Sequence, residues 1–206
     1  MESTAVPPTS DRTRVRRLPE RGRYDRDTIH AILDAGFVCH VGVVDGGTPV
    51  VIPTAYARVG DHVVLHGASK SRLMLLLGAG APACITVTHV DGFVMARSAF
   101  HHSINYRSAV VFGRGEAITG DAEKNAALEA FTEHIHPGRW AVVRPPNPRE
   151  LKAAAVVRVR IDEASAKIRT GPPIDDAEDM AIDVWAGVVP LVLAREAPIR
   201  HVPESA

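Results

Sequence analysis

The 206-residue chain has two cysteines, no net charge and no long apolar run. Each shortage closes a class of function. With 24 cations against 24 anions, it lacks the basic excess of a general nucleic-acid binder. No apolar stretch approaches the roughly 20 residues that span a bilayer. The N-terminus, MESTAVPPTSDRTRVRR, has no apolar core for a secretory signal. A cytoplasmic protein is expected, with neither nucleic-acid nor membrane partners. Cys39 and Cys84 sit among β-favouring residues and read as small buried hydrophobes rather than redox groups. The glycine pattern of a nucleoside triphosphate loop is missing. So is a GxGxxG turn with an acid about 20 residues on, which disfavours a Rossmann site. What is present is globular: 46% hydrophobic and 23% charged residues, in a chain long enough to bury its own core without a disulfide or metal staple.

Residues 1–23 are rich in Pro, Ser, Thr and Arg, show no apolar period, and are expected to form a disordered arm. Residues 24–195 are expected to form one domain, and 196–206 a flexible tail. YDRDTIHAILDAG predicts a short helix capped by Asp25 or Asp27, with Ile29, Ile32 and Leu33 on one face. FVCHVGVV and TPVVIPTAYARV predict a hairpin through Asp-Gly-Gly. Pro53 marks an edge, a bulge or an opening to a ligand in the return strand. HVVLHG is a third strand, and SKSRLMLLLGAG a helix. PACITVTHV and DGFVMAR predict a second hairpin, SAFHHSIN a loop, and YRSAVVFGRGEAI a long strand bending at Gly113 and Gly115. The helix GDAEKNAALEAFTEHI is expected to be capped by Asp121. RELKAAAVVRVRIDEA begins as a helical turn and becomes a strand. KIRTGPPIDDAEDMAIDVWAGVVPL reads as irregular, with an apolar end that wants a surface to cover. Strands outnumber helices and come as hairpins. The pattern suits a mainly β, antiparallel barrel with helices on its outside.

VVLHGASKSRLMLLLGAGAP holds the most informative chemistry. A helix N-terminus exposes free N–H groups and carries partial positive charge, so it welcomes an anion. Ser69 and Ser71 add hydroxyl donors, Lys70 and Arg72 full charges. Arg can grip phosphate with two parallel bonds. Two cations in the first turn oppose the helix dipole, so the helix itself does not ask for them. A dianion such as phosphate does; the alternative is a solvated basic turn paired with local carboxylates. VVIPTAYAR leaves backbone groups free beside Pro53 and Thr54 for the edge of a planar ligand. NYRSAVVFG puts Tyr106, Arg107 and Ser108 at the start of a long strand.

The ordered run RGRYD, AILDAGFVCHVGVV, VVIPTAYAR, VVLHGASKSR, NYRSAVVFG, KIRTGPP and VWAGVVPL resembles the flavin-nucleotide-binding proteins of the pyridoxamine 5'-phosphate oxidase-like superfamily, in the branch of the nitroimidazole-resistance (Nim-type) proteins. It spans about Arg16 to Leu191, with LHGASKSR and NYRSAVVFG its specific parts. The resemblance implies an antiparallel split β-barrel that forms a homodimer, with FMN in two clefts between subunits. It places the FMN phosphate at Ser69, Lys70, Ser71 and Arg72. It lays Val51, Ile52, Pro53 and Thr54 along the isoalloxazine and ribityl edge, and brings Arg107 and Ser108 from the cleft wall or the partner subunit. It suggests Arg169 as a second anion contact and Trp185 as a lid, or simply as interface packing. The Arg-Leu-x-Pro signature that grips pyridoxamine phosphate is replaced here by VVPLVLAR, so vitamin B6 oxidation is not expected.

His66 ends a strand beside the proposed cleft. In the Nim-type branch a histidine there is associated with the cofactor, and some members bind haem, which an imidazole can ligate. A histidine hydrogen-bonded to FMN or to backbone is the favoured alternative. His101 and His102 lack further ligands at the spacing of a structural zinc site, so no metal is expected, save His66 as ligand if the cofactor is haem. Two functions are carried forward. The first is an FMN-dependent oxidoreductase acting on a small molecule, nitroimidazole-like among the options, with no side chain standing out as catalytic. The second is a haem- or flavin-binding module without turnover. Deazaflavin is a further candidate as co-substrate. The apolar tail from Trp185 to Leu193, with no evident strand to join within the chain, motivates the dimer.

Overall fold

The computed structural model describes residues 6–201; the first five residues of the expected arm and the last five of the expected tail lie outside them. The chain divides into two compact units. Unit 1 is Met1–His89 with Tyr106–Thr170, and unit 2 is Val90–Asn105 with Gly171–Ala206.

Unit 1 begins with 3-10 turns at Asp11–Thr13 and Pro19–Arg21 and strand β1 (Gly22–Arg23). The expected arm is thus structured from Asp11 on. Thr13 is buried, and Arg12 donates through two nitrogens to the Glu163 carboxylate. Helix α1 (Arg26–Asp34) is capped as the sequence predicts: the Asp25 carboxylate accepts from the Thr28 N–H at 2.8 Å, and Ile29, Ile32 and Leu33 are buried. Strands β2 (Val38–Asp45) and β3 (Thr48–Val59) form the expected hairpin. Gly46 and Gly47 take φ of 55° and 82°, the conformation a two-residue turn demands and side chains resist.

Strand β4 (His62–Ala68) pairs with β3 only from Tyr56 onward. The half of β3 holding Pro53 therefore has β2 on one edge and no β4 on the other, where a missing N–H costs no ladder bond. Helix α2 (Arg72–Gly78), strands β5 (Pro82–Met95) and β6 (Ser103–Ile118), helices α3 (Asp121–Ile135) and α4 (Pro148–Ala153), and strands β7 (Ala154–Arg160) and β8 (Glu163–Arg169) follow. Every registered pairing is antiparallel, in the order β1-β8-β6-β7-β4-β3-β2-β5. Strand β6 pairs with β8 as far as Phe112 and with β7 from Gly115. The change falls where glycines were expected to bend it. A Cβ on Gly115 would meet the Leu77 carbonyl oxygen at 2.2 Å, so α2 and β6 touch backbone to backbone there. Leu33, Tyr56, Leu65, Leu77 and Ile85 are at the centre of the main core; Val64, Ile118, Ala127 and Val156 form a smaller cluster that includes α3.

Three expectations are corrected. The second hairpin does not exist: β5 runs unbroken through Asp91-Gly92. Helix α3 is capped by Gly120, with Asp121 its first helical residue; there a carboxylate complements the helix terminus without capping it. KIR is not irregular but the end of β8, whose buried face, Ala164 and Ala166, is too small to announce a strand by hydrophobicity.

In unit 2, the far part of β5, Gly92 to Met95, pairs with strand β9 (Gly187–Pro190). The apolar tail thus does have an intrachain strand to join. Gly92 is present for close approach, since a Cβ there would meet the Val189 carbonyl oxygen at 2.9 Å. Arg97 holds Asp175 through its backbone N–H (2.7 Å) and its guanidinium (2.8 Å). Asn105 Nδ2 donates to the Gly171 carbonyl at 3.1 Å. Among the described residues, no helix is long and apolar enough to cross a membrane.

Candidate functional site

The basic turn lies between β4 and α2. Its first residue is fixed by the β4–β7 pair: the Ser69 N–H donates to the Ala153 carbonyl at 2.9 Å, and the Ser71 N–H to Ala68 at 2.8 Å. The Leu75 N–H is the first to donate within the helix, to Ser71. The N–H groups of Arg72, Leu73 and Met74 have no helical acceptor, as at any helix start. Ser71 occupies the cap position but makes no side-chain cap bond, so its hydroxyl is available to a ligand. Ser69, Lys70 and Arg72 are exposed. Helix α2 has only seven residues, so its dipole is weak and the pull on an anion falls mainly on the side chains.

Arg72 is not left to solvent. Its guanidinium lies 3.6 Å from the Asp45 carboxylate, with both side chains substantially exposed. At that distance the pair is loose, and such surface pairs contribute about 0–1 kcal/mol. Asp45 was not singled out from sequence; its place beside the Gly46-Gly47 turn was the available signal. The contact brings the basic turn to the β2–β3 hairpin, whose return strand carries Val51 to Thr54. Alternation splits those four residues. Ile52 and Thr54 are opposite Val41 and Cys39, on the core face; Val51 and Pro53 are opposite Gly42 and His40, on the other. One ligand surface can meet two of them by side chain, and the rest only by backbone. Cys39 is buried, and burial pushes its thiol up to about 12, which keeps it protonated and unreactive.

The β6–β8 pair holds the other set. Arg107 is registered with Ile168 on the face of Ala109 and Val111, which are buried in the core. Ser108, opposite Lys167, and Arg169, opposite Tyr106, are on the reverse face. Arg107 and Ser108 therefore point to opposite sides of one strand. The Ser108 hydroxyl donates to the Lys167 carbonyl at 3.3 Å. Arg169 is buried, and burial, with Arg21 nearby, lowers its pKa. Strands β7 and β4 separate this pair from β3 in the sheet order. Trp185 belongs to unit 2, where it is mostly exposed and its indole lies beside Gly187.

His66 is on β4, registered with Val156. Its ring stands edge-on to Phe131 of α3, with centroids 4.2 Å apart. Burial pushes its pKa down, so the imidazole is neutral near pH 7, the form that ligates a metal. Its Nδ1 is buried with no hydrogen-bond partner. The unpartnered nitrogen suits both readings: a neutral imidazole with a free nitrogen can ligate iron, and the edge-on contact with Phe131 packs the ring under α3.

Fold and site together define a mainly antiparallel β protein with a basic turn suited to an anionic group. The family model for pyridoxamine 5'-phosphate oxidase matches residues 25–168, and the chain belongs to that family. The flavocytochrome Anf3 from Azotobacter vinelandii is 44% identical, with a TM-score of 0.86, over 97% of this chain and 94% of that one. A FAD and haem binding protein from Mycobacterium smegmatis is 39% identical, with a TM-score of 0.85, over 90% and 91%. A candidate 5-nitroimidazole antibiotic resistance protein from Bacteroides thetaiotaomicron, 23% identical with a TM-score of 0.59 over 71% and 86%, shares the fold. No curated protein matches the sequence.

Proposed function

We propose that this chain is a split-barrel flavoprotein that also takes haem, a redox protein of the flavocytochrome type. One observation carries the reading: two relatives at 44% and 39% identity, each matched over at least 90% of this chain, are a flavocytochrome and a FAD and haem binding protein. The exposed Ser69-Lys70-Ser71-Arg72 turn supports it, because it offers an anion two charges and two hydroxyls. That turn holds the phosphate next to the ribityl chain, which FMN and FAD share. Thr54 and Ile52, or Val51 and Pro53, lie along the flavin edge. Arg169 is the second anion contact: two neighbouring cations, Arg21 and Arg169, repel each other, and a phosphate offsets that repulsion. FMN follows from the family resemblance and FAD from the Mycobacterium relative; FAD is favoured on the higher sequence identity. The bound flavin supplies electron transfer, and the protein supplies position and electrostatics.

The working protein is proposed to be a homodimer, with Arg107 or Ser108 of one copy and Trp185 completing the flavin cleft. It is proposed to act in the cytoplasm as an oxidoreductase on a small molecule. Binding without turnover is supported comparably by the same relatives. The visible spectrum of the purified protein, with mass identification of the released flavin, tests the cofactors. Flavin and haem bands together are expected, and a colourless protein that takes up neither sinks the reading. Oxidation of reduced nicotinamide or deazaflavin separates enzyme from carrier. Sedimentation tests the dimer, and a stable monomer at micromolar concentration removes it. The variant His66→Ala decides between the two readings of that histidine: loss of the haem band alone makes it the ligand, and a kept band assigns it to packing.

A further inference from the structure

His101 and His102 have no companion ligands in the local sequence, yet unit 2 supplies one for His101 from 75 residues downstream. The His101 Nε2 is 3.0 Å from an Asp176 carboxylate oxygen, and Asp179 is beside them. One donor atom from each of the three residues lies within 4.8 Å of the others. Three ligands at about 2.0–2.2 Å around one tetrahedral ion are roughly 3.4 Å apart, so small side-chain rotations close the gap. His102 is a different case: its Nδ1 accepts from the Ala96 N–H at 2.9 Å, so it holds the loop. Asp175 is likewise committed, to Arg97. The first anchor holds the His101 loop and the second ties it to the segment before Asp176, and neither uses any of the three donors.

We propose that His101, Asp176 and Asp179 form a binding site for one divalent transition-metal ion, with water completing the coordination. The donor set selects the class. One imidazole with two carboxylates suits Zn²⁺, Co²⁺ or Mn²⁺, whereas Ca²⁺ and Mg²⁺ prefer oxygen alone. The charges also match: two carboxylates neutralise a divalent ion, the nearby Arg97 is paired with Asp175, and His101 gives up its proton to bind metal. His101 is three-quarters buried and Asp176 largely exposed, so the ion enters from solvent and exchanges. Its effect is to staple the turn Ala99–His101 to the turn Asp179–Ala181. None of the three residues is part of the proposed flavin site, so this inference stands or falls separately.

The test uses the full-length protein as purified, stripped of loose metal with a chelator and titrated with Co²⁺ and Zn²⁺. The expected result is one equivalent of Co²⁺ with visible ligand-field absorption and a Zn²⁺-dependent rise in melting temperature. His101→Ala, Asp176→Asn and Asp179→Asn each weaken binding by at least about 10-fold, the low end of what losing even an outer partner of a metal site costs. His136→Ala, at the exposed end of α3, leaves it unchanged. The exposed, isosteric Asp176→Asn guards against a folding artefact. Wild type binding neither ion overturns the proposal. So does Asp176→Asn together with Asp179→Asn retaining full affinity, or His101→Ala losing haem while keeping its Zn²⁺.

Discussion

Unit 1 buries a large apolar core, with some exposed residues such as Val51 and Leu75 around it, whereas unit 2 displays most of its large apolar side chains. Leu33, Tyr56, Leu65 and Leu77 in unit 1 are completely shielded, while among the described apolar residues of unit 2 only Val94 and Ala96 are buried. Phe100, Trp185, Val192 and Leu193, all in unit 2, are between 65% and 90% exposed. The first unit is held by burial at about 25 cal/mol per Å². The second is held by a four-residue strand pair and a few polar ties, the weak end of any stability distribution. An exposed set of this kind marks a binding surface more often than an accident. The difference teaches that unit 1 carries its own core, while unit 2 leaves most of its large apolar side chains uncovered in the single chain.

Substitutions can break that contrast. The largest effect is expected at Leu65→Ala, which empties a fully shielded site and should cost about 2–5 kcal/mol; a denaturant titration showing under about 1 kcal/mol would mean unit 1 is looser than its packing. Next is Arg72→Ala, expected to weaken FMN or FAD by about 10- to 150-fold, the loss of one charge-assisted contact of roughly 1.5–3 kcal/mol. Riboflavin, lacking the phosphate, should lose far less, and Arg72→Lys should recover only part. Equal losses for both ligands would make Arg72 a pocket wall instead. Gly92→Ala pushes a Cβ against the Val189 carbonyl and is expected to cost about 1–3 kcal/mol, confined to unit 2. Hydrogen exchange should quicken at Phe93 to Met95 and leave β2 and β3 protected; a uniform change would merge the units.

A pH series sharpens the unit 1 side. Burial lowers the pKa of His66 from 6.5, so folding favours its neutral form. Its contribution is complete above the unfolded value and is lost as pH falls through the folded one. Wild type should therefore lose stability below about pH 6.5, and His66→Leu should lose less over the same window; parallel curves would assign the acid sensitivity elsewhere. The smallest effect is expected at Leu193→Ala, within about 0.5 kcal/mol for the isolated chain. A larger loss that depends on protein concentration would identify Leu193 as part of a subunit interface.

Sequence made much of unit 1 legible and little of unit 2. Periodicity placed α1 and its buried face, and Asp-Gly-Gly placed the β2–β3 turn, because those signals are local. The basic turn was legible because two cations at a helix start are unexplained by the helix. The sequence puts Arg107 and Ser108 side by side at the start of a long strand without telling which face each takes; the strand register turns them to opposite faces. Asp91-Gly92 was read as a turn because the same dipeptide also serves a strand pressed by a later one, and nothing nearby tells the two apart. The partners of His101 and Arg97 are 75 and 78 residues away, beyond the reach of any pattern.

Those separations have a consequence for the order in which the chain matures. Residues Val90–Asn105 leave the ribosome long before Gly171–Ala206. During that interval β5 has no β9 partner, Arg97 no Asp175 and His101 no carboxylates. Closing loops of this length carries an entropic cost that must be met before the contacts reward it. Unit 2 is therefore the last part to assemble, and a nascent chain stalled before Asp175 lacks the strand that pairs with Val94, which the complete chain buries, and leaves it open to whatever chaperone reaches it first.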